Sequence, residues 1–152
     1  MDLNWIELFN DILKDDKNYN LEFFSGISAF KLAKIRKVLN VDLSGELLEL
    51  LRQTDGILNK RFNDFIVFNS KKIIDYYLHH LEYLSEVESD VLYNYLFFAD
   101  NGCGEHFGIE INDGMIKTSE ISVYYPIENE YRIVAPNLYT WVVEWFSGKL
   151  AT

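Results

Sequence analysis

Apolar residues in the first third of the chain recur at the spacing of helices that bury one side. The segment 3–13 carries such a stripe and predicts a first helix. Ser28 can cap a second helix over AFKLAKIRKVLN. GELLELLRQ predicts a third helix that stops at Asp55-Gly56. The predicted stripe of the second helix comprises Phe30, Leu32, Ala33, Ile35, Val38 and Leu39. Its other side is basic and carries Lys31, Lys34, Arg36 and Lys37.

The pattern then changes from helical spacing to short strands. RFNDFIVFNS alternates like a strand, and KKIIDYYLHHLEYLSEV returns to helical spacing. Five short runs rich in β-branched and aromatic residues follow, namely VLYNYLFFA, HFGIEI, MIKT, ISVYYPI and YRIVA, separated by the turn-like DNGCGE, NDG, SE and ENE. Spacing this close predicts an antiparallel meander. Asn137 can cap a last helix, LYTWVVEWF, which ends before Gly148.

This order of elements predicts an α+β fold, in which an antiparallel meander packs one face against helices from the N-terminal third and a C-terminal helix. A chain of 152 residues suits one core, so we expect a single domain over 1–152. The acids near the N-terminus do not suit a signal peptide, and no uncharged apolar run approaches about 18 residues. We therefore expect a cytoplasmic protein without a membrane partner.

Charge is distributed unevenly along the chain, whose net charge is −10. Residues 1–75 hold 11 bases and 12 acids, whereas residues 76–152 hold 3 and 12, so the net charges are −1 and −9. Between residues 82 and 130 eleven acids face a single base, Lys117. A field of that sign repels phosphate backbones and attracts basic proteins. The second half thus predicts a basic protein partner and no direct contact with nucleic acid, although acids that only maintain solubility are the simpler alternative.

The stretch DNGCGEH raises the question of a catalytic site. Asn101-Gly102 is the pair that a type I′ hairpin turn selects, because both central positions need positive φ. Cys103 and His106 would act as nucleophile and base only with a group to orient the imidazole and donors for an oxyanion, which the sequence does not identify. No spacing typical of a metal motif includes Asp100, Glu105 and His106. We predict a hairpin turn, with no catalytic residue, metal or cofactor.

A second cluster of aromatic and acidic residues follows in the last two predicted strands. Such alternation most often separates a buried face from a solvated one, but exposed tyrosines can anchor an interface while acids attract a cationic partner. We expect a row of exposed tyrosines in the acidic half. The candidate partner-binding residues are Asp100, Glu105, Glu120, Tyr124, Tyr125, Glu128 and Glu130.

Three segments together resemble the SUKH superfamily. ISAFKLAKIRKVLNVDLSGELLELLRQTDGI resembles its opening helices, FFADNGCGEHFGIEI its glycine-rich turn and strand, and IVAPNLYTWVVEWFSG its closing strand and helix. The resemblance covers residues 25–148, with Ser44 where the family commonly has Pro, Asp55 where it has Asn, and Glu105 where it has Asp. The family includes fungal cell-wall-assembly regulators and bacterial immunity proteins that bind and silence polymorphic toxins, often nucleases.

The resemblance and the charge together lead to a functional hypothesis. We expect a non-enzymatic immunity protein, or antitoxin, whose acidic half binds a cognate toxin with a basic nuclease domain. The alternative is a regulatory scaffold of the cell-wall-assembly type, which would hold a protein or small ligand in an apolar groove between sheet and helices, lined by some of Tyr124, Tyr125 and Trp141. A third hypothesis is a hydrolase that uses Cys103 and His106. The oligomeric state stays open.

Overall fold

A computed structural model of the protein describes the backbone of residues 3–87 and 94–152 and the side chains of residues 3–79 and 94–152. Within these ranges the elements are α1 (Trp5–Leu13), β1 (Leu21–Phe23), α2 (Ala29–Leu39), α3 (Gly45–Gln53), β2 (Ile57–Asn59), β3 (Asp64–Val67), α4 (Ser70–Val87), β4 (Tyr95–Asp100), β5 (His106–Asn112), β6 (Met115–Tyr125), β7 (Glu130–Ala135) and α5 (Leu138–Phe146). The predicted α+β class is confirmed. None of the described helices is long and apolar enough to cross a membrane.

The helix ends follow the predicted caps. The Ser28 hydroxyl accepts a hydrogen bond from the Lys31 N–H at the start of α2, and the Asn137 side chain does the same for the Thr140 N–H in α5. These bonds satisfy backbone donors that a helix start leaves without partners. Both helices therefore begin where the sequence predicts.

The burial predicted for α2 is partly wrong. Ile35 and Leu39 are buried, but Phe30 is 79% exposed and Val38 is 41% exposed. The helix packs mainly along α4, so only a narrow stripe of its surface meets the rest of the protein. Most of α2 is therefore open to solvent.

Asp55 fixes the start of α4 and links it to α2. Its side chain is only 5% exposed, and its carboxylate accepts hydrogen bonds from the Ser70 N–H at 2.7 Å and the Ser70 hydroxyl at 2.9 Å. The Lys31 ammonium lies 3.3 Å from the same carboxylate. A negative charge at a helix N-terminus is stabilising, so this acid performs a structural role.

A small antiparallel sheet, ordered β1-β2-β3, precedes the large one. The sequence predicts only β3, whereas β1 lies within residues 18–26, NYNLEFFSG, whose composition is typical of a turn. Each of β1 and β2 has three residues, too few for an alternating pattern to be visible. They are held by non-local pairing, with Leu21 opposite Asn59 and Phe23 opposite Ile57.

The large sheet is the predicted antiparallel meander, ordered β4-β5-β6-β7. The predicted first strand reaches residues 91–93, which lie outside the described residues. The predicted turn at Ser119-Glu120 is wrong, because both residues belong to the long strand β6. The pairing nevertheless shifts there: Ile109 lies opposite Ile121 but Ile111 lies opposite Ile116. The polar pair therefore marks an irregularity within a strand.

The two faces of the large sheet have different neighbours. On one face Trp141 of α5 packs edge-on against Phe98 and Phe107, each with ring centroids 5.1 Å away. On the other face Phe97 and His106 meet Tyr76 of α4. The first face belongs to a hydrophobic cluster that extends from Trp5 to Phe146. The second carries a smaller aromatic cluster around Phe97 and Tyr124.

Candidate protein-binding surface

The topology of the large sheet gathers most of the predicted site residues at one end. In an antiparallel meander the first and third connections lie at the same end, so the β4–β5 loop and the β6–β7 turn are neighbours. Cross-strand pairing aligns Asp100 with His106, His106 with Tyr124, and Tyr124 with Tyr131. We call residues 100–106 and 124–131 the acidic end.

Six of the seven predicted residues lie at the acidic end, and Glu120 does not. Glu120 occupies the irregular part of β6, where its N–H donates to the Thr118 hydroxyl at 3.2 Å. It precedes Tyr125 by five residues, which corresponds to about 17 Å along a strand. The structure therefore separates Glu120 from the other candidates. The six at the acidic end are Asp100, Glu105, Tyr124, Tyr125, Glu128 and Glu130.

The β4–β5 loop is organised by Asn101 and not by a two-residue turn. The Asn101 carboxamide oxygen accepts hydrogen bonds from the N–H groups of Cys103 and Glu105. Positive φ occurs at Gly102 (78°) and Gly104 (95°), whereas Asn101 does not have it. The predicted type I′ turn at Asn101-Gly102 is therefore wrong, because the connection has five residues and the amide side chain takes the place of a backbone acceptor.

The C-terminus joins the two halves of the acidic end. The Asn101 side-chain amide donates to the Thr152 hydroxyl at 2.9 Å and to the Glu105 carboxylate at 3.0 Å. The Tyr125 hydroxyl lies 3.5 Å from the Thr152 carbonyl oxygen and is also bonded to the Arg132 guanidinium. The last residue thus connects the β4–β5 loop to the end of β6.

The expected row of exposed tyrosines is wrong for Tyr124. Neighbouring strand residues face opposite sides of a sheet, so Tyr124 and Tyr125 point away from each other. Tyr124 is 1% exposed, and its hydroxyl donates to the Asn129 side chain at 2.9 Å. Tyr125 is half-buried against the main core and keeps its polar tip at the acidic end. Of these two tyrosines, Tyr125 is the one that can offer side-chain surface to a partner.

A cleft of about 180 Å³ opens at the acidic end, between the β4–β5 loop, the β2–β3 hairpin and α5. Its polar lining includes Asp64 and Asp100, and its apolar lining includes Phe62, Phe65 and Trp145. The pKa of Asp100 is raised, chiefly because its carboxylate is buried and also because Asp64 is nearby. The hydrogen bond from the Gly102 N–H and the charge of Lys72 act in the opposite direction and lower the pKa. The hydrogen bond and the nearby lysine therefore do not fully offset the cost of burying the ionised Asp100 carboxylate. Tyr124, Tyr125 and Trp141, the expected groove residues, do not line this cleft.

The sequence missed Asp64 as a neighbour of Asp100. The two acids are 36 positions apart, and their proximity depends on the junction of the two sheets, where the Phe68 N–H donates to the Phe98 carbonyl oxygen at 2.8 Å. No local motif encodes that contact. A weak signal is the turn residue Asn63, whose φ of 52° allows the chain to reverse just before Asp64.

Cys103 and His106 lie in different environments. Cys103 is exposed in the β4–β5 loop, whereas His106 is 8% exposed and its imidazole is hydrogen-bonded to the Tyr76 hydroxyl. Its ring also meets Phe97 with centroids 5.5 Å apart. His106 therefore contributes to packing on the second face of the sheet. Over the described ranges, no group of three His, Cys, Asp or Glu residues is arranged to hold a metal ion.

Comparison with known protein families confirms the predicted resemblance to the SUKH superfamily. A sequence model of the SMI1 / KNR4 family (SUKH-1) matches residues 26–144, which include every strand of the large sheet. The protein belongs to this family. No curated protein sequence matches the chain.

Proposed function

We propose that the protein is an immunity protein that binds a cognate polymorphic toxin and neutralises it, using the acidic end as its contact surface. Membership of the SMI1 / KNR4 family over residues 26–144 is the observation that carries this proposal. The family resemblance implies toxin-binding immunity proteins among its bacterial members. In this proposal the protein acts by binding and not by catalysis, in the cytoplasm where the toxin is made.

The charge of the second half supports a basic toxin. Residues 76–152 have a net charge of −9, and Glu128 and Glu130 are exposed at the β6–β7 turn. A nuclease is basic where it holds its substrate, so an acidic surface can occupy that groove or dock beside it. Opposite charges also accelerate association, by roughly 10 to 1,000-fold at low ionic strength. A nuclease domain is therefore the proposed target.

The cleft at the acidic end suits a cationic side chain of the toxin. Asp64 and Asp100 can accept hydrogen bonds from a guanidinium or ammonium group, and Phe62 and Trp145 offer aromatic surface to the same cation. Lys72 demonstrates this chemistry within the protein, because its ammonium lies 4.7 Å from the centre of the Phe68 ring and 4.0 Å from the Asp64 carboxylate. We propose contact residues Asp100, Glu105, Tyr125, Glu128 and Glu130, with Tyr124 as buried support.

The second candidate function is a regulatory scaffold that holds a ligand in the same cleft. Its aromatic lining favours this alternative, but its volume of about 180 Å³ is below the roughly 300 Å³ at which pockets for drug-sized ligands begin. That size suits one side chain of a protein partner better than a whole small molecule. The toxin hypothesis is therefore the one we develop.

Co-expression with the toxin encoded beside this gene tests the proposal. Cells that produce the toxin should survive when they also produce the wild-type protein, and the triple variant Glu105→Gln/Glu128→Gln/Glu130→Gln should protect them less well. Glu120→Gln compared with Glu105→Gln alone is the matched control, because each removes one carboxylate charge and only Glu105 lies at the acidic end. Cells left unprotected by the wild-type protein would refute the proposal.

A Cys103 variant separates binding from hydrolysis. An immunity protein that acts by contact does not need the exposed thiol of Cys103, so Cys103→Ser should protect cells as the wild type does. Loss of protection, with the toxin still bound in a pull-down, would instead support the hydrolase hypothesis.

A further inference from the structure

The basic side of α2 plays no part in the proposed toxin contact. Lys31 pairs with Asp55, and Arg36 pairs with Asp42 at 3.2 Å. Lys34 and Lys37, in contrast, form no ion pair with any residue that the structure describes. Two cations without an ion-pair partner among the described side chains thus lie on a helix that is mostly open to solvent.

An exposed aromatic ring accompanies these two cations. Phe30, Lys34 and Lys37 follow one another at intervals of four and three residues, which places them on one side of the helix, opposite the buried Ile35 and Leu39. A single exposed apolar residue is ordinary on a protein surface. A phenyl ring in line with two cations, however, forms a stripe suited to a partner that carries an apolar side chain beside acids.

The β6–β7 turn of the same chain has this composition. Ile127 is 96% exposed at its tip, and the exposed acids Glu128 and Glu130 follow it. Neither acid pairs with a base within the described part of the chain. The turn and α2 belong to separate parts of the fold, since α2 packs mainly on α4.

The dimensions of the two surfaces allow apolar and ionic contacts together. Phe30 and Lys37 are seven residues apart on a helix, which corresponds to about 10 Å along its axis. Ile127 and Glu130 are three residues apart in a chain reversal, where Asn129 has a φ of 53°, so they are closer together than the roughly 10 Å of an extended segment, and the flexible lysine side chains can span the difference. An apolar contact between Phe30 and Ile127 can therefore coexist with ion pairs from Lys34 and Lys37 to the two acids.

We propose that α2 of one copy docks on the β6–β7 turn of a second copy, in a head-to-tail contact. The two surfaces differ, so each copy keeps one free surface after the first contact and the association can extend. The contact is small, and both copies carry a net charge of −10, so the association is weak. It should be evident at about 0.1 M salt, where the Debye length is about 10 Å, and should fade at about 1 M, where it is about 3 Å.

Sedimentation velocity over a range of protein concentrations tests this contact through two complementary variants. Lys34→Gln/Lys37→Gln removes charge from α2 only, and Glu128→Gln/Glu130→Gln removes it from the turn only. Each variant alone should self-associate roughly 2- to 30-fold more weakly than the wild type, as expected for the loss of two exposed ion pairs. An equimolar mixture should recover wild-type affinity and stop at a one-to-one pair, because only one intact pair of surfaces is available.

The matched control is Lys14→Gln/Lys17→Gln, which removes two exposed cations outside α2 and should associate like the wild type. Thermal unfolding of every variant checks that the fold is retained. A wild-type protein that stays monomeric at high concentration, or a mixture no stronger than the separate variants, would overturn the proposal. Binding of monomeric wild type to vesicles of anionic phospholipid would assign the α2 side to a lipid surface and would overturn it as well.

The proposal does not depend on toxin binding, since it is tested with the purified chain alone. If both contacts exist they share the β6–β7 turn, so an added toxin should dissociate the assemblies.

Discussion

At one end of the large sheet the chain reverses in two residues, and at the other it uses longer and more exposed connections. The β5–β6 turn consists of Asp113 and Gly114, both with positive φ (52° and 74°), and the Gly114 carbonyl accepts a hydrogen bond from the Asp42 N–H at 2.8 Å. The acidic end has a five-residue loop, in which Gly102 and Gly104 have open space where a side chain would point. The β5–β6 turn packs on the backbone around Asn40, whereas the acidic end, although it bonds to Thr152, presents Glu128 and Glu130 to solvent.

This difference shows how one sheet can combine stability and recognition. At the β5–β6 turn Gly114 lies against the backbone of Asn40, which leaves no room for a side chain, so a substitution there affects folding. At the acidic end the glycines are required only by the path of the loop, and the surrounding acids can be varied with little effect on folding. Mutations should therefore separate into those that unfold the protein and those that affect its partner.

The largest expected effect is that of Gly114→Ala. A Cβ atom at this position would lie 2.3 Å from the Asn40 carbonyl oxygen, in a backbone conformation that already disfavours side chains. Overpacking and the positive φ together should lower the free energy of unfolding by about 2–5 kcal/mol. Gly102→Ala is the matched control, because a side chain there meets open space. Its free energy of unfolding should fall by about 1–2 kcal/mol, the cost of a side chain at positive φ. Urea unfolding measures both, and equal losses would contradict the contrast between the two ends.

A smaller effect is expected from removing the Tyr124 hydroxyl. Tyr124→Phe breaks the hydrogen bond to Asn129 and should lower the free energy of unfolding by about 1 kcal/mol. Tyr125→Phe, which changes a half-buried tyrosine on the opposite face, should stay within about 0.5 kcal/mol of the wild type. Thermal unfolding distinguishes the two. A larger loss for Tyr125→Phe would show that the structural and exposed roles of these tyrosines are reversed.

The smallest effect is expected from Asp100→Asn and appears in the pH dependence. The pKa of Asp100 in the folded protein lies above its ordinary value of 3.8, chiefly because of burial, so the folded state favours the protonated acid. The stabilisation from the protonated Asp100 side chain is therefore greatest below its ordinary pKa of 3.8 and is lost as pH rises through the higher pKa of the folded state. The neutral amide should slightly stabilise the protein at neutral pH and flatten the stability profile in the acidic range.

Stability measured against pH for Asp100→Asn and the wild type tests this expectation. The amide oxygen can still accept the hydrogen bond from the Gly102 N–H, so the loop is preserved. A variant that is less stable at neutral pH, with an unchanged profile, would contradict the account of Asp100. Weaker toxin binding by the same variant would indicate that the uncompensated charge serves recognition.

Local signals in the sequence predicted the elements that depend on local chemistry. Ser28 and Asn137 cap helices as expected, and short β-branched and aromatic runs identified the meander, although they divided the long strand β6 into two. The class of fold followed from the order of these elements, and the family from the resemblance of three segments, which the family match over residues 26–144 confirms. Such features are visible because caps, turns and periodicity involve residues only a few positions apart.

The features that the sequence missed depend on distant contacts. Strands β1 and β2 pair residues more than thirty positions apart, and Asp64 meets Asp100 only where the two sheets join. Aromatic and β-branched content could not reveal that Tyr124 is buried whereas Tyr125 keeps an accessible tip. Strand alternation gives opposite faces to neighbouring residues, but only the tertiary packing decides which face is covered.

The most direct test of the proposed contact surface is the association rate between this protein and its cognate toxin, measured at increasing salt. We predict fast association of the wild type that slows steeply with salt, because attraction between opposite charges accelerates association by roughly 10 to 1,000-fold at low ionic strength. The triple variant Glu105→Gln/Glu128→Gln/Glu130→Gln should associate more slowly at low salt and show a flatter salt dependence. Glu120→Gln should match the wild type more closely, because it lies outside the acidic end. Rates that do not depend on salt, or a triple variant that associates as fast as the wild type, would contradict the assignment of the acidic end as the toxin-binding surface.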